Sequence, residues 1–287
     1  MPIELACNTL NYAAFPFQRA LEGIARAGFK YVGVGATHDK KRWPNRQMND
    51  DDVREMNQRI RDCGLKVNSC LCFEVHIGPD ESVDQFKREL DILAALGCKR
   101  AIIGGPWYYT KWPTEIKAPD VWQRECDAFY ACLDKILPHA EKLGTIICVK
   151  PHTGLVAHSG RVREVLERLK SPALAICWDA GNVSFYEGIC PDPGLDKIAP
   201  SVRSICLKDH KGPRANPVFP LLGEGNVNHD EFFGVLAQGG FNDVMMIERL
   251  GVREGENLTA EQFDERGRRT IDFLTPLLKK HFDQFEI

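Results

Sequence analysis

Four residues able to move protons or carry charge stand at matching places in four successive apolar runs. Lys150 follows Thr145-Ile-Ile-Cys-Val149, and Asp179 follows Leu174-Ala-Ile-Cys-Trp178. Lys208 lies just past Val202-Arg-Ser-Ile-Cys206, and Glu248 follows Val244-Met-Met-Ile247. Paired carboxylates such as Asp179 and Glu248 suit proton transfer on a carbon next to a carbonyl, provided a cation steadies the enediolate oxygen. Lys150 offers that cation, or a Schiff-base nucleophile if desolvation lowers its pKa. His152 would project from the same rim as a substrate contact, against the plainer reading of a hydrogen-bonded structural histidine. Lys208 precedes Asp209 by one, so the two face opposite ways on a strand, and Lys208 is the better candidate. Trp107 and Tyr108, with Tyr109 and Trp112, crowd one loop; they are either loop packing or a platform for the apolar face of a sugar. The plain alternative for the quartet is ordinary end-of-strand polarity, or a structural salt bridge of Lys150 with Asp179 and Glu248. Four such clusters in succession favour a shared site.

Bringing these residues together requires parallel strands. Short apolar runs that open on a turn and close on a charge read as buried parallel strands. Four more precede them: Ile3 to Cys7, Tyr31 to Val34, Val67 to Phe73 and Arg100 to Ile103. Helical spacing fills the gaps, at Phe17 to Ala27 before Gly28, from an Asn49 cap to Gly64, at Glu81 to Leu96, and at Val121 to Leu143 with a kink expected at Pro138. A short helix follows Ser159, and a weaker helical segment lies around Leu195 to Ile198. Asp230 to Gln238 and Thr259 to Phe282 complete the helices. Thr37 to Met48 reads as a polar loop, and His210 to Val227 as a long loop whose Arg214 could reach over the mouth. Eight strand–helix units, each near 35 residues, predict an α/β fold that is a single (β/α)₈ TIM barrel spanning residues 1–287. In such a barrel the C-terminal strand ends build the site, which places Lys150, Asp179, Lys208 and Glu248 at one mouth. A doubly wound sheet would usually carry a glycine-rich loop after the first strand, and Cys7-Asn-Thr-Leu-Asn-Tyr12 has no glycine.

Composition narrows the function classes. The balance of 37 basic against 40 acidic residues argues against a nucleic-acid surface. No apolar run nears about 18 residues and no leader is visible, so neither a membrane partner nor secretion is expected. The 11 cysteines have no framework spacing, and several lie inside strand-like runs, which fits a reducing cytoplasm. Homo-oligomer formation stays open.

In Asp179-Ala-Gly-Asn182, Cys206-Leu-Lys-Asp209, Leu222-Gly-Glu-Gly225 and the stretch from Gly239-Gly-Phe241 to Glu248, the chain resembles the xylose isomerase-like barrel family. That family holds sugar isomerases and epimerases, inosose dehydratases and the endonuclease IV branch, and the resemblance covers essentially the whole chain. It implies a divalent metal (Mn, Mg or Zn) on a strand-five Glu, a strand-six Asp, a strand-seven His and a strand-eight Glu. Asp179 and Glu248 match two of these positions. The strand-five Glu reads Lys150, the strand-seven His reads Cys206, and the His three after the strand-six Asp reads Asn182, kept as a substrate contact. Some dehydratases of the family carry His-Pro-His-x-Gly after strand five with a Glu six residues on. Here Lys150-Pro-His152 has His158 at that spacing, so His152 and His158 are the fallback metal ligands beside Asp179 and Glu248.

Tight transition-metal sites usually take at least three protein ligands, so weak or absent metal binding is expected, with the Lys150 ammonium in that charge role. The expected function is a sugar or keto-sugar (acid) isomerase or epimerase. The alternatives are a related dehydratase or decarboxylase, and a non-catalytic sugar-binding barrel that lost its metal. An abasic-site nuclease would need a richer ligand cluster and a basic surface.

Overall fold

The computed structural model describes residues 2–72, 81–251 and 256–287. Its centre is a closed barrel of eight parallel strands: β1 Ile3–Asn8, β2 Tyr31–Val34, β3 Lys66–Leu71, β4 Arg100–Ile103, β5 Ile146–Val149, β6 Leu174–Trp178, β7 Val202–Leu207 and β8 Val244–Ile247. Each strand pairs with the next in sequence. The ring closes where β1 pairs with β8 in register from Glu4↔Val244 to Cys7↔Ile247. A short strand at Phe285–Glu286 also pairs with β1. The expected end of β3 at Phe73 lies outside the described residues; β3 itself stops at Leu71.

Around the barrel lie α1 Phe17–Ala27, α2 Asp50–Asp62, α3 Glu81–Ala95, α4 Pro119–Leu143, α5 Ser159–Leu169, α6 Ala180–Glu187, α7 Leu195–Ile198, α8 His229–Gln238 and α9 Ala260–His281. Their ends follow local chemistry. Asn49 and Thr259 build capping boxes for α2 and α9, and Gly28 ends α1 with a left-handed φ of 106°. α4 continues through Pro138 as one element.

The strand period of two sorts side chains into two cores. Ala6, Leu71, Ile102, Cys148, Cys177, Cys206 and Met246 pack together inside the barrel. Leu5, Cys70, Cys72, Ile103, Ile147, Ile176, Ile205 and Ile247 belong to the larger core facing the helices. Cys70 and Cys72 therefore share a face as expected, and it is the outer one.

Two expectations need correction. The stretch read as a polar loop holds an antiparallel hairpin, Ala36–His38 with Lys41–Trp43. Its turn is Asp39–Lys40, both at positive φ (50° and 62°), as a two-residue hairpin turn demands. The sequence lacks the Asn-Gly or Asp-Gly signal that would have marked it. The second is α6, which follows β6 directly and was not foreseen. Gly181, Asn182, Val183 and Ser184 are all buried there, so no polar face alternates with an apolar one to betray a helix.

Candidate active site

Alternation also decides which residues meet at the mouth. Cys148, Cys177, Cys206 and Met246 point into the barrel. The residue two further along each strand is Lys150, Asp179, Lys208 and Glu248 respectively. All four converge. Lys150 Nζ lies 2.5 Å from Glu248 Oε2 and 3.4 Å from Asp179 Oδ2. Lys208 Nζ lies 2.8 Å from Glu248 Oε1 and 3.1 Å from Asp179 Oδ2. Lys150 and Asp179 are wholly inaccessible, and Lys208 and Glu248 no more than 5% exposed. Two ammonium groups thus face two carboxylates, and the formal charge of the cluster is zero.

The two carboxylates are not equivalent. Both Glu248 oxygens accept lysine hydrogen bonds. Burial works to raise its pKa, yet Lys150 and Lys208 together hold it well below the carboxylate range. Asp179 Oδ1 caps α6 by accepting from the Asn182 N–H at 2.8 Å. Its Oδ2 is within ion-pair range of both lysines but aligned for a hydrogen bond with neither. Burial dominates there and raises Asp179 against the pull of the lysines. Lys150 is also buried, which works against its charge, but the carboxylates of Glu248 and Asp179 raise its pKa. It is held as an ammonium, which removes the Schiff-base reading, since that needs a neutral amine.

His152 is buried beside the lysines, its Nδ1 3.3 Å from the Lys150 carbonyl. Burial first, then the charges of Lys150 and Lys208, bring its pKa down to about 3. The ring is neutral at ordinary pH. With Nδ1 donating to that carbonyl, Nε2 is the acceptor nitrogen.

The remaining sequence candidates separate. Asn182 gives its backbone N–H to Asp179 and its Nδ2 to the Pro151 carbonyl at 2.7 Å, so it braces Asp179 against the β5 end. Trp107 leans toward the centre, with ring centres 6.1 Å from His152 and 5.5 Å from Tyr186. Tyr108 instead packs on Trp122 of α4. His158 caps α5 by accepting from the Gly160 N–H through Nδ1. Asp209 faces away from Lys208, as alternation requires, and accepts from the N–H groups of His210, Gly223, Gly225 and Val227. That ties down the base of the loop after β7.

Tyr186 was missed. Its ring lies 5.5 Å from His152 and 5.2 Å from Trp112, and burial raises its phenol to about 12. It is seven residues after Asp179, and Asn182 is three after; that spacing marks one helix face. It was invisible only because α6 itself was not recognised. Arg214 does reach over the mouth, donating to the Tyr186 carbonyl and to the Tyr109 hydroxyl.

The metal expectation meets a clear chemical test. Asp179, Cys206 and Glu248 each offer one donor atom within 4.8 Å of the others. Cys206 is a buried thiol whose pKa is raised well above its usual value by burial and by the neighbouring Cys177 sulfur, 3.5 Å away. Both ammonium groups already sit against the two carboxylates. A unit charge about 4 Å from a divalent ion is opposed by roughly 8 kcal/mol at an effective dielectric near 20. The donor set does not fit a divalent metal. His158 is engaged in its helix cap, and neither His152 nor His158 joins the donor group.

The family model for the xylose isomerase-like TIM barrel matches residues 21–268. No curated protein matches the chain in sequence. Among solved structures, the IOLI protein with a binding zinc atom superposes with a TM-score of 0.76 at 16% identity, covering 98% of this chain and 100% of that one. A D-tagatose 3-epimerase-like protein gives 0.74 at 14% identity, covering 97% and 98%. A D-allulose 3-epimerase from Methylomonas sp. gives 0.73 at 15%, covering 96% and 98%. Identities this low speak for the fold alone. With the barrel closed, the mouth assembled and the family model spanning most of its length, the chain belongs to the xylose isomerase-like TIM-barrel family.

Proposed function

We propose that this barrel is an enzyme that moves a proton on carbon next to the carbonyl of a small sugar or keto-sugar acid, as an isomerase or epimerase does. The observation that carries the reading is the unequal pair of carboxylates held between two buried ammonium groups. Environments that push two acids apart in pKa assign their roles. Asp179, raised and with an unaligned oxygen, takes and returns the proton; Glu248, held ionised, pairs with both lysines and keeps them in place. Lys208 carries three N–H donors and has two carboxylate partners, so it can also meet the oxygen on which negative charge develops. His152 accepts from a substrate hydroxyl through Nε2, and Trp107 and Tyr186 flank the sugar. No step passes through a metal ion.

Epimerase-like structural neighbours support an enzyme of this general kind. The test is proton exchange. Chelated protein in deuterated water, given a panel of ketoses and keto-sugar acids, should wash deuterium into the carbon next to the carbonyl, read by NMR. Exchange that appears only after adding manganese or zinc, or that survives D179N, would sink the assignment.

A further inference from the structure

Above the four buried charges the mouth carries two more cations. Arg214 donates through Nε to the Tyr186 carbonyl at 2.6 Å and through Nη2 to the Tyr109 hydroxyl at 3.0 Å, with its Cζ 5.8 Å from the Trp112 ring centre. Arg249 follows Glu248 directly, and its Cζ lies 5.4 Å from the Phe219 ring centre. Both side chains reach solvent. Neither has a carboxylate partner among the described residues, whereas most arginines of the outer surface do, such as Arg124 with Asp120 and Arg268 with Glu265.

The rings beneath them form one continuous wall. Trp112 and Phe219 pack on Phe185 at 4.8 and 5.0 Å, Phe185 on Tyr186 at 4.8 Å, and Tyr186 on His152 at 5.5 Å. The wall therefore runs from the two guanidinium groups down to the buried charges. Below it the charges cancel; above it, among the described residues, neither guanidinium is paired with a carboxylate. A planar guanidinium resting on an aromatic face is suited to grip the oxygens of a phosphate or carboxylate.

We infer that the substrate carries an anionic group, a phosphate or a carboxylate, held by Arg249 and Arg214 over this wall while its carbonyl end reaches Lys208 and Asp179. The inference rests on the proton-transfer reading above and supplies the class of sugar that reading leaves open. It makes Arg249 a specificity residue, because among the described residues no carboxylate is paired with its charge, which rests on the Phe219 ring.

Calorimetric titration of the chelated full-length protein with D-ribulose, D-ribulose 5-phosphate and D-ribonate tests it. One of the two anions should bind at least about tenfold more tightly than the neutral sugar, and which one identifies the group. The ratio should shrink between about 0.05 M and about 0.5 M salt, since the rim is solvated. R249Q should bring the ratio to within about threefold of unity. R214Q should reduce it too, and R249Q remains decisive if loss of Arg214 disturbs the loop. K208M should weaken every probe and leave the ratio alone. Equal binding of the anions and the neutral sugar, a ratio that survives R249Q, or no binding of any probe overturns the anionic rim. In the first two cases a Lys208-dependent affinity for ribulose leaves the proton-transfer reading standing. Anion binding that needs Arg249 but ignores Lys208 would do the reverse.

Discussion

At the floor of the barrel Arg100 and Asp243 meet across 2.5 Å, both almost fully buried; at the mouth Lys150, Lys208, Asp179 and Glu248 meet under the same exclusion of water. On the floor every polar atom named has a use. Arg100 also donates to the carbonyls of Arg203 and Lys99, and Asp243 takes the Val244 N–H on its second oxygen. At the mouth Asp179 Oδ2 is left without an aligned donor. Burying charge costs several kcal/mol per ion, so an ion pair survives in a core only when it is well satisfied. The floor meets that condition and serves structure. The mouth falls short at one oxygen, Asp179 Oδ2, which is where the proposed reading puts the proton. A cavity of about 470 Å³ opens at the floor, lined among others by Lys66, Arg100 and Asp243.

The largest effect that could break this contrast is in the mouth. D179N should lower proton exchange roughly a thousandfold, within the range of general acid–base catalysis. A variant retaining full exchange would reduce the mouth to a second structural ion cluster. Next comes the floor. R100M should destabilise by about 3–5 kcal/mol in urea unfolding, since it strands Asp243, while exchange per folded molecule is kept. Lost exchange at retained stability would erase the distinction between the two ends.

A smaller effect comes from His152. Its folded pKa of about 3 lies below the ordinary value of 6.5, so the unfolded chain takes up the proton first. Its contribution is complete above pH 6.5 and lost as pH falls toward 3, by up to about 1.4 kcal/mol per unit. Urea unfolding of wild type and H152F at intervals from pH 7 to pH 4 should show a shallower slope in the variant; parallel slopes would mean that this ring is not neutral and buried as described. The smallest expected effect is none at all. Extensive chelation should leave exchange unchanged, and K150E should lose exchange while gaining manganese affinity, because it removes the repelling charge and adds a ligand. Inactivation by chelation with recovery on manganese would return the mouth to metal chemistry.

Much of this was legible because a strand's alternation is rigid. Once Cys148, Cys177, Cys206 and Met246 are assigned to the inside, Lys150, Asp179, Lys208 and Glu248 must follow them, and Asp209 must turn away. What sequence could not supply were distances and helices without a polar face. Tyr186 was lost with α6, and the difference between Asp179 and Glu248 depends on an angle at one oxygen. Arg100 and Asp243 went unnoticed because a charge at the start of a strand looks like any solvent-facing end. Asn182 and His158 carried polar chemistry in the sequence, but their hydrogen bonds show them engaged in bracing and capping.

Asp209 has one more consequence, for how such a barrel changes over generations. Its carboxylate gathers the N–H groups of His210, Gly223, Gly225 and Val227, so both feet of the loop after β7 are pinned to one side chain. A Cβ on Gly225 would clash with that carboxylate, which fixes the foot as glycine. The segment between the feet, including Arg214 and Phe219, hangs from a closed staple next door to Lys208. Within it Leu221 and Leu222 are buried, so the exposed stretch around Arg214 is the part with room to change. On the proposed reading, retailoring the rim for a new sugar would be a matter of exchanging residues 211–220, with the four buried charges inherited intact.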